Sequence, residues 1–191
     1  MRTIRRLFAL ALLALALSAQ AARIEDQTFE DRIRLADTEL TLNGVGLRAV
    51  AWLKGYAAGL YLPQKASTPA AVLAQKGAKR VQLRMLLDVG SEEFRKAWDK
   101  GMKRNHSPAE YEPMQERIAK FSATIGAIGK LKKGDVIDLD YLPGKGLQLS
   151  LNGTPRGEAV SGEDLYAGLL KIFVGNVPVD ARLKAGLLGV G

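Results

Sequence analysis

The sequence contains no cysteine and only one histidine. The missing cysteines exclude a disulfide framework, thiol catalysis, thiolate metal sites and the lipid attachment of a lipoprotein. A single histidine rules out histidine-rich metal sites and disfavours a serine–histidine relay. Because this residue, His106, lies in a polar connection between two predicted helices, we interpret it as a surface loop residue rather than a general base. We therefore expect no metal and no cofactor.

Long apolar runs are missing from most of the chain, and the one at the amino terminus is short. Leu7–Leu17 is unbroken, follows three arginines and precedes the small-x-small sequence Ala19-Gln20-Ala21. This pattern predicts a secretory signal peptide over residues 1–21, cleaved after Ala21, with an uncleaved anchor helix as the alternative. The run is too short to span a bilayer. We expect residues 22–191 to form a single domain, periplasmic or secreted, with no stable membrane insertion.

Charge is not concentrated in any one segment, although the formal net charge is +8. Basic residues are scattered along the chain, which is typical of a solvated surface. We expect no nucleic-acid partner. The surplus of positive charge is compatible with a weak attraction for anionic ligands or membrane surfaces.

Alternation of apolar and polar residues predicts several strands. They cover residues 29–35, 39–52, 54–62, 81–89, 136–141, 147–151 and a last segment through Val160. The turn sequences Pro143-Gly144-Lys145-Gly146 and Asn152-Gly153 separate the last three, which indicates antiparallel hairpins.

Helical spacing of apolar residues follows the central strand and returns near the carboxyl end. Ser91 is predicted to cap one helix, and Ser107-Pro108-Ala109-Glu110 is a capping box that starts the next. The apolar residues of the second helix recur every three or four positions, and we interpret them as core: Tyr111, Met114, Ile118, Phe121 and Ile125. A last pair of helices is predicted from residues 161 or 162 to 175 and from 179 to 188. This order of elements indicates an α+β fold, an antiparallel sheet with helices layered on one face.

Paired carboxylates occur on one predicted strand. Asp138 and Asp140 share a strand face, whereas Asp135 lies on the opposite one. Such a pair can bind a metal ion or exchange protons, but an exposed strand face is also commonly polar. We interpret Asp138 and Asp140 as residues of a solvated face.

The stretch Asn43-Gly44-Val45-Gly46-Leu47-Arg48 places two glycines and a charge within a predicted strand. Residues two apart share a strand face, so Arg48 is expected beside Gly46 and Gly44, followed by Leu42 and Leu40. The next strand has small residues around Tyr56 as well. Small residues on neighbouring strands leave space above a sheet.

Helices covering that face would turn the space into a pocket with Arg48 at its edge. An arginine there keeps its charge and needs an anionic partner, such as the carboxylate or enolate of a mostly apolar ligand. The same residues are also compatible with structural roles. The glycines can mark a β-bulge or close packing against a helix, and Arg48 can pair with an internal acid or point to solvent. The stretch is not a phosphate loop, because it lacks the third glycine.

These residues, followed by Gly59-Leu60-Tyr61-Leu62, resemble the amino-terminal signature of chalcone isomerase-like proteins. Further stretches resemble the same family in order and spacing: Val81–Val89 with its following helix, Lys133-Gly134-Asp135, Asn152-Gly153 and Ile172-Phe173-Val174-Gly175. The resemblance covers about residues 28–189 and is nearest to an exported bacterial branch. It implies an open-faced β-sandwich, in which a ligand cleft lies between a large antiparallel sheet and a layer of helices.

The resemblance also implies a role for Arg48. In plant isomerases of this family an arginine at this position binds the reacting phenolate, and in fatty-acid-binding relatives it holds the ligand carboxylate. The other plant catalytic positions fall on Tyr56, Phe94, Gly101 and Ile172. The hydroxyl and amide donors expected from the family are therefore absent at Phe94, Gly101 and Ile172, whereas Tyr56 carries a hydroxyl.

We expect a non-catalytic binding protein for a small amphipathic anion such as a fatty acid. The expected ligand-binding residues are Arg48 as an anion clamp, Tyr56 as a hydrogen-bond donor, and Phe94, Trp98 and Phe173 as apolar walls that are also compatible with plain core. The alternative is an isomerase of the intramolecular lyase type, in which Arg48 steadies a phenolate or enolate during cyclisation. A protein-interaction module with a vestigial pocket is a third class.

Overall fold

The computed structural model describes residues 21–191. The predicted signal peptide therefore lies outside the described residues, apart from Ala21 at its end. Within residues 21–191, no helix is both long enough and apolar enough to cross a membrane.

Strands and helices follow one another in the predicted order. The strands are β1 (Ala22–Ile24), β2 (Gln27–Phe29), β3 (Arg32–Leu35), β4 (Thr38–Val50), β5 (Leu53–Leu62), β6 (Lys79–Met85), β7 (Val89–Gly90), β8 (Lys130–Leu131), β9 (Val136–Leu142), β10 (Gly146–Leu151) and β11 (Thr154–Val160). The helices are α1 (Pro69–Ala74), α2 (Ser91–Arg104), α3 (Pro108–Tyr111), α4 (Gln115–Gly126), α5 (Glu163–Val174) and α6 (Ala181–Leu187), with a 3₁₀ turn (Glu112–Met114) between α3 and α4.

Seven of the strands form one sheet, in the order β11-β10-β9-β6-β5-β4-β3. Every neighbouring pair in it is antiparallel. Strands β6 and β9 are neighbours although helices α2 to α4 separate them along the chain. Helices α2, α4, α5 and α6 bury their apolar residues against one face of this sheet. The predicted α+β fold, an open-faced β-sandwich with helices on one face, is confirmed.

The two faces of the sheet belong to separate apolar clusters. In β5, Ala58 and Leu60 face the helices, whereas Ala57 and Tyr61 face the other way, because successive residues of a strand alternate. Phe29, at the end of the β1–β2 hairpin, joins the second cluster and fills the space beside Gly59. The hairpin thus covers part of the face that carries no helices.

One predicted helix cap is wrong and another is confirmed. Gly90, not Ser91, precedes α2, and the Ser91 hydroxyl instead donates to the carbonyl oxygen of Gly126 at 3.2 Å, which joins the start of α2 to the end of α4. The capping box of α3 is present: the Ser107 N–H donates to the Glu110 carboxylate at 2.8 Å, and the Ser107 hydroxyl accepts from the Glu110 N–H. The apolar stripe that follows is buried as predicted, with Tyr111 partly so.

The prediction of a solvated face for Asp138 and Asp140 is wrong. Their exposed fractions are only 7% and 4%. The strand register places Arg80 opposite Asp140 and Gln82 opposite Asp138. Arg80 donates to both oxygens of Asp140 at 2.6 and 2.7 Å, and Gln82 donates to Asp138 at 2.8 Å. These carboxylates are buried because a cation and an amide lie directly across the strand pair, which satisfies them without water.

Candidate ligand-binding site

The two glycines of β4 lie against the backbone of α6. A side chain on Gly44 would overlap the carbonyl oxygen of Gly186, and a Cβ on Gly46 would lie 2.6 Å from the carbonyl oxygen of Leu183. The space above these glycines is therefore filled by a helix rather than by a ligand pocket. The expectation of a pocket at the glycine pair is wrong, and the alternative of close packing against a helix is confirmed.

A β-bulge at Asn43 changes which residues share a face with Arg48. The register moves from Leu42 opposite Tyr61 to Gly44 opposite Leu60, which leaves Asn43 as an extra residue. Leu42 and Leu40 consequently face away from the helices, contrary to the prediction from simple alternation.

The side chain of Asn43 anchors the end of α6. Its amide nitrogen donates to the carbonyl oxygens of Leu187 at 2.7 Å and Ala66 at 2.9 Å, and its oxygen accepts from the Ala66 N–H at 2.6 Å. The bulge therefore turns the Asn43 side chain toward the helices, where all of its hydrogen bonds are to backbone atoms.

An apolar cavity lies further along the same face, between the sheet and helices α2, α4 and α5. Four of the five expected ligand-binding residues line it: Tyr56, Phe94, Trp98 and Phe173. Its volume is about 60 Å³, whereas a single water needs about 10–15 Å³. Its other walls are aliphatic or aromatic, among them Phe121, Ile125, Leu139, Leu169 and Ile172. We call this space the apolar cavity.

Tyr56 lines the apolar cavity with its ring rather than with its hydroxyl, because all of the surface exposed in the cavity is apolar. Its side chain packs against Phe94, with ring centroids 5.8 Å apart. Burial raises the pKa of the Tyr56 hydroxyl above its ordinary value, an effect that the charge of Arg48 partly offsets. The hydroxyl is therefore protonated at neutral pH and can donate. The indole N–H of Trp98, in contrast, is engaged, since it donates to the carbonyl oxygen of Ile118 at 3.0 Å.

A second cleft, of about 210 Å³, adjoins the apolar cavity. Ala97, Ile172 and Val179 border both spaces. Its charged lining consists of three cations and no acid: Arg48, Lys100 and Arg104. We call it the basic cleft. An apolar chamber and a cationic chamber thus meet at three shared residues.

Arg48 is held in place by a protein acid. Its Nη1 donates to Asp180 Oδ2 at 3.1 Å and to the Ala49 carbonyl oxygen at 2.9 Å. The other oxygen of Asp180 accepts from the N–H groups of Arg182 and Leu183 and so caps α6. The alternative of pairing with an internal acid is confirmed. A guanidinium has five N–H donors, and within residues 21–191 both protein contacts of Arg48 use Nη1, so its Nε and Nη2 are available to a ligand.

Sequence reasoning missed Lys100 and Arg104. They are exposed, and they lie one helical turn apart on the side of α2 that carries Ala97 and Gly101. Two cations spaced by four residues on a helix, beside small residues, were a usable signal.

The positions that correspond to plant catalytic residues do surround this site. Tyr56 and Phe94 line the apolar cavity, Gly101 lines the basic cleft, and Ile172 borders both. Of the four, Tyr56 alone has a side chain that can form hydrogen bonds. No three His, Asp or Glu side chains of residues 21–191 are grouped closely enough to hold a metal ion.

This structure defines the class: an open-faced β-sandwich with a cavity between its sheet and its helices. The model of the chalcone isomerase-like family matches residues 21–189, and the chain belongs to that family, as the resemblance predicted. Among solved structures, it shares its fold with a fatty-acid binding protein of Arabidopsis thaliana. That match has a TM-score of 0.64 and 16% sequence identity, and it covers 88% of this chain and 96% of the plant protein. A search of curated proteins found no match.

Proposed function

We propose that the protein binds an amphipathic carboxylate such as a fatty acid. The end of the acyl chain would enter the apolar cavity, and the carboxylate would lie in the basic cleft. The observation that carries this proposal is that Ala97, Ile172 and Val179 border both spaces, so the apolar cavity and the basic cleft are adjacent. A ligand that spans the two spaces would have one end among apolar side chains and the other among cations, which matches the two halves of a fatty acid.

The clamp in this proposal is the guanidinium of Arg48, whose planar fork of N–H donors matches a carboxylate. Its Nε and Nη2 groups can donate to a carboxylate while Nη1 keeps its bonds to Asp180 and Ala49. Hydrogen bonds between a guanidinium and a carboxylate are short and strong because both partners are charged. Lys100 and Arg104 would add longer-range attraction across the cleft.

Two further arguments support binding rather than catalysis. The related fold of the Arabidopsis thaliana protein is named for fatty-acid binding. An isomerase would also need groups that orient water and polarise a ketone, yet at the corresponding positions Tyr56 alone supplies a donor. The amino-terminal pattern supports export, so we propose that the binding takes place in the periplasm or outside the cell.

The test compares dodecanoic acid with its methyl ester, which has the same chain and no charge. Wild type, Arg48→Gln and Arg32→Gln are titrated with both after delipidation. Arg32 is an exposed arginine that pairs with Glu39 on β4, so it is the matched control. We expect Arg48→Gln to weaken acid binding by about tenfold to a hundredfold, since a charged hydrogen bond contributes about 1.5–3 kcal/mol. Ester binding by Arg48→Gln should be unchanged. Arg32→Gln should bind both ligands as wild type does.

Three outcomes would contradict the proposal. An equal loss of acid and ester binding in Arg48→Gln would mean that Arg48 only shapes the cleft. Arg48-dependent cyclisation of a chalcone would establish the isomerase alternative, and absence of binding to either ligand would favour an interaction module. Mass spectrometry of an organic extract of the purified protein would identify any acid that it carries.

A further inference from the structure

The β4–β5 hairpin exposes apolar side chains at its tip. Val50, Trp52 and Leu53 are 61%, 91% and 57% exposed. A single exposed apolar residue is ordinary, but a contiguous group that includes a tryptophan marks an interaction site. Tryptophan is notable because its amphipathic ring favours the boundary between water and hydrocarbon.

The tip projects because β4 and β5 extend beyond the strands next to them. Val50 pairs with Leu53 across a two-residue turn, Ala51-Trp52. The pairing of β5 with β6 begins only at Tyr56, opposite Met85. Residues before Tyr56 therefore extend beyond β6, which leaves the side chain of Trp52 exposed.

Positive charge surrounds the tip. Lys54 follows it directly, and Arg48 precedes it in the same strand. Each of these two is matched by one acid, Lys54 by Glu25 and Arg48 by Asp180. The basic cleft beside Arg48 adds Lys100 and Arg104, which form no ion pair within residues 21–191. Among these six groups, four are cations and two are acids, so their sum is positive.

We propose that the hairpin tip docks on an anionic lipid bilayer, with Trp52 inserted at the level of the headgroups and the basic cleft facing them. Apolar insertion and attraction of cations to anionic lipid are the two contributions that hold peripheral proteins on membranes. Docking in this orientation brings the basic cleft to the bilayer, so an amphiphile can pass between the bilayer and the apolar cavity. That exchange rests on the proposed function, whereas docking itself does not.

The test measures co-sedimentation of the full protein with vesicles. One set contains phosphatidylcholine alone, and the other contains phosphatidylcholine mixed with phosphatidylglycerol. We expect wild type to bind the second set. Trp52→Ser should weaken binding by about tenfold or more, the effect of withdrawing one large apolar side chain from the interface. Val190→Ser is the control, because Val190 is 61% exposed but lies outside the hairpin; it should bind like wild type.

Charge is tested separately from insertion. The double variant Lys100→Gln/Arg104→Gln should lower binding to the anionic vesicles by about thirtyfold, since each of the two cations near an anionic surface contributes about 1 kcal/mol. Lys145→Gln is the matched control: Lys145 is exposed in the turn between β9 and β10, at the opposite end of the sheet. Equal losses in these two variants would overturn the assigned orientation.

Tryptophan fluorescence reads the position of Trp52 directly. The other tryptophan, Trp98, is 3% exposed but lines the apolar cavity, so the part of the emission change that is lost in Trp52→Ser is the part that reports on Trp52. With vesicles present, we expect brominated lipid to quench the Trp52 emission. Acrylamide should quench it less than it does without vesicles. Emission that stays accessible to acrylamide would overturn the proposal, as would failure of wild type to sediment with anionic vesicles. So would concentration-dependent dimerisation without lipid that Trp52→Ser abolishes, because the tip would then bind a second copy.

Solution binding separates this proposal from the proposed function. Trp52→Ser should bind dodecanoic acid as wild type does, since Trp52 is not part of the cavity or the cleft. Wild type that sediments with vesicles but fails to bind the acid would refute the proposed function and leave docking intact. Wild type that binds the acid but not the vesicles would refute docking alone.

Discussion

At the scale of single residues, the approach of β4 to α6 depends on three positions of the strand. Gly44 and Gly46 let the helix backbone reach the strand, and Asn43 ties down the helix end. From the sequence, the glycine pair indicated either an empty space or a close approach. Only the position of α6, more than 130 residues later in the chain, decides between them, and no local pattern carries that information.

Gly46→Ala is predicted to destabilise the fold. Its Cβ would lie 2.6 Å from the Leu183 carbonyl oxygen and would force two backbone segments apart, at a cost of about 1–3 kcal/mol for an overpacked site. Gly55→Ala on the adjacent strand is the control, because its nearest heavy atom is 3.5 Å away. Urea denaturation measures both. A Gly46→Ala variant as stable as Gly55→Ala would mean that α6 does not rest on the strand.

At the scale of elements, the sequence predicted the features that depend on residues close together in the chain. The α3 capping box and the alternation along β6 were recognised because their partners lie within a few residues. A β-bulge at the glycines was one of the alternatives from the sequence, and the register shift between Leu42 and Gly44 confirms it. The buried Asp140 was not recognised, since its partner is 60 residues away on another strand. Phe94, Trp98 and Phe173 were found because apolar helix faces converge on the cavity. Lys100 and Arg104 were missed although their spacing beside Ala97 and Gly101 was a usable signal.

The start of α3 should make stability depend on pH. Hydrogen bonds from the Ser107 N–H and hydroxyl, with the charge of Lys171, hold the pKa of Glu110 at about 2 instead of its usual 4.5. A pKa lowered by folding stabilises the folded state above the ordinary value, and this contribution is lost as the pH falls from about 4.5 towards 2. Glu110→Gln should therefore be less stable than wild type near pH 7, and the difference should shrink over that window.

Thermal or urea unfolding at several pH values measures this difference. Glu112→Gln, two residues further along, is the control and should stay within about 0.5 kcal/mol of wild type, as surface substitutions usually do. A gap between Glu110→Gln and wild type that persists unchanged at pH 2 would contradict the assigned role of the carboxylate.

At the scale of the whole molecule, the apolar cavity and the basic cleft work as one site only if their junction is open. Affinity for straight-chain acids should rise with length, by about 0.8 kcal/mol or fourfold per buried methylene, until the cavity is full. Ala97→Leu should remove this dependence, because the larger side chain stands where the two spaces meet. Ala119→Leu, at an exposed position of α4, is the control.

Isothermal titration with acids of increasing length measures the series, and a negative heat-capacity change should accompany each added methylene. Affinity that is independent of length in wild type would place the ligand in the basic cleft alone. A full length dependence in Ala97→Leu would show that the acyl chain follows another route.

Asp180 divides its two oxygens between a helix and a cation: one caps α6, and the other holds Arg48. A ligand carboxylate that binds Nε and Nη2 can occupy the site while Nη1 keeps its bond to Asp180 and the cap of α6 stays intact. A substitution that removes the Asp180 carboxylate would instead release the guanidinium and uncap α6 together, so a weaker clamp and a looser helix start would appear in the same variant.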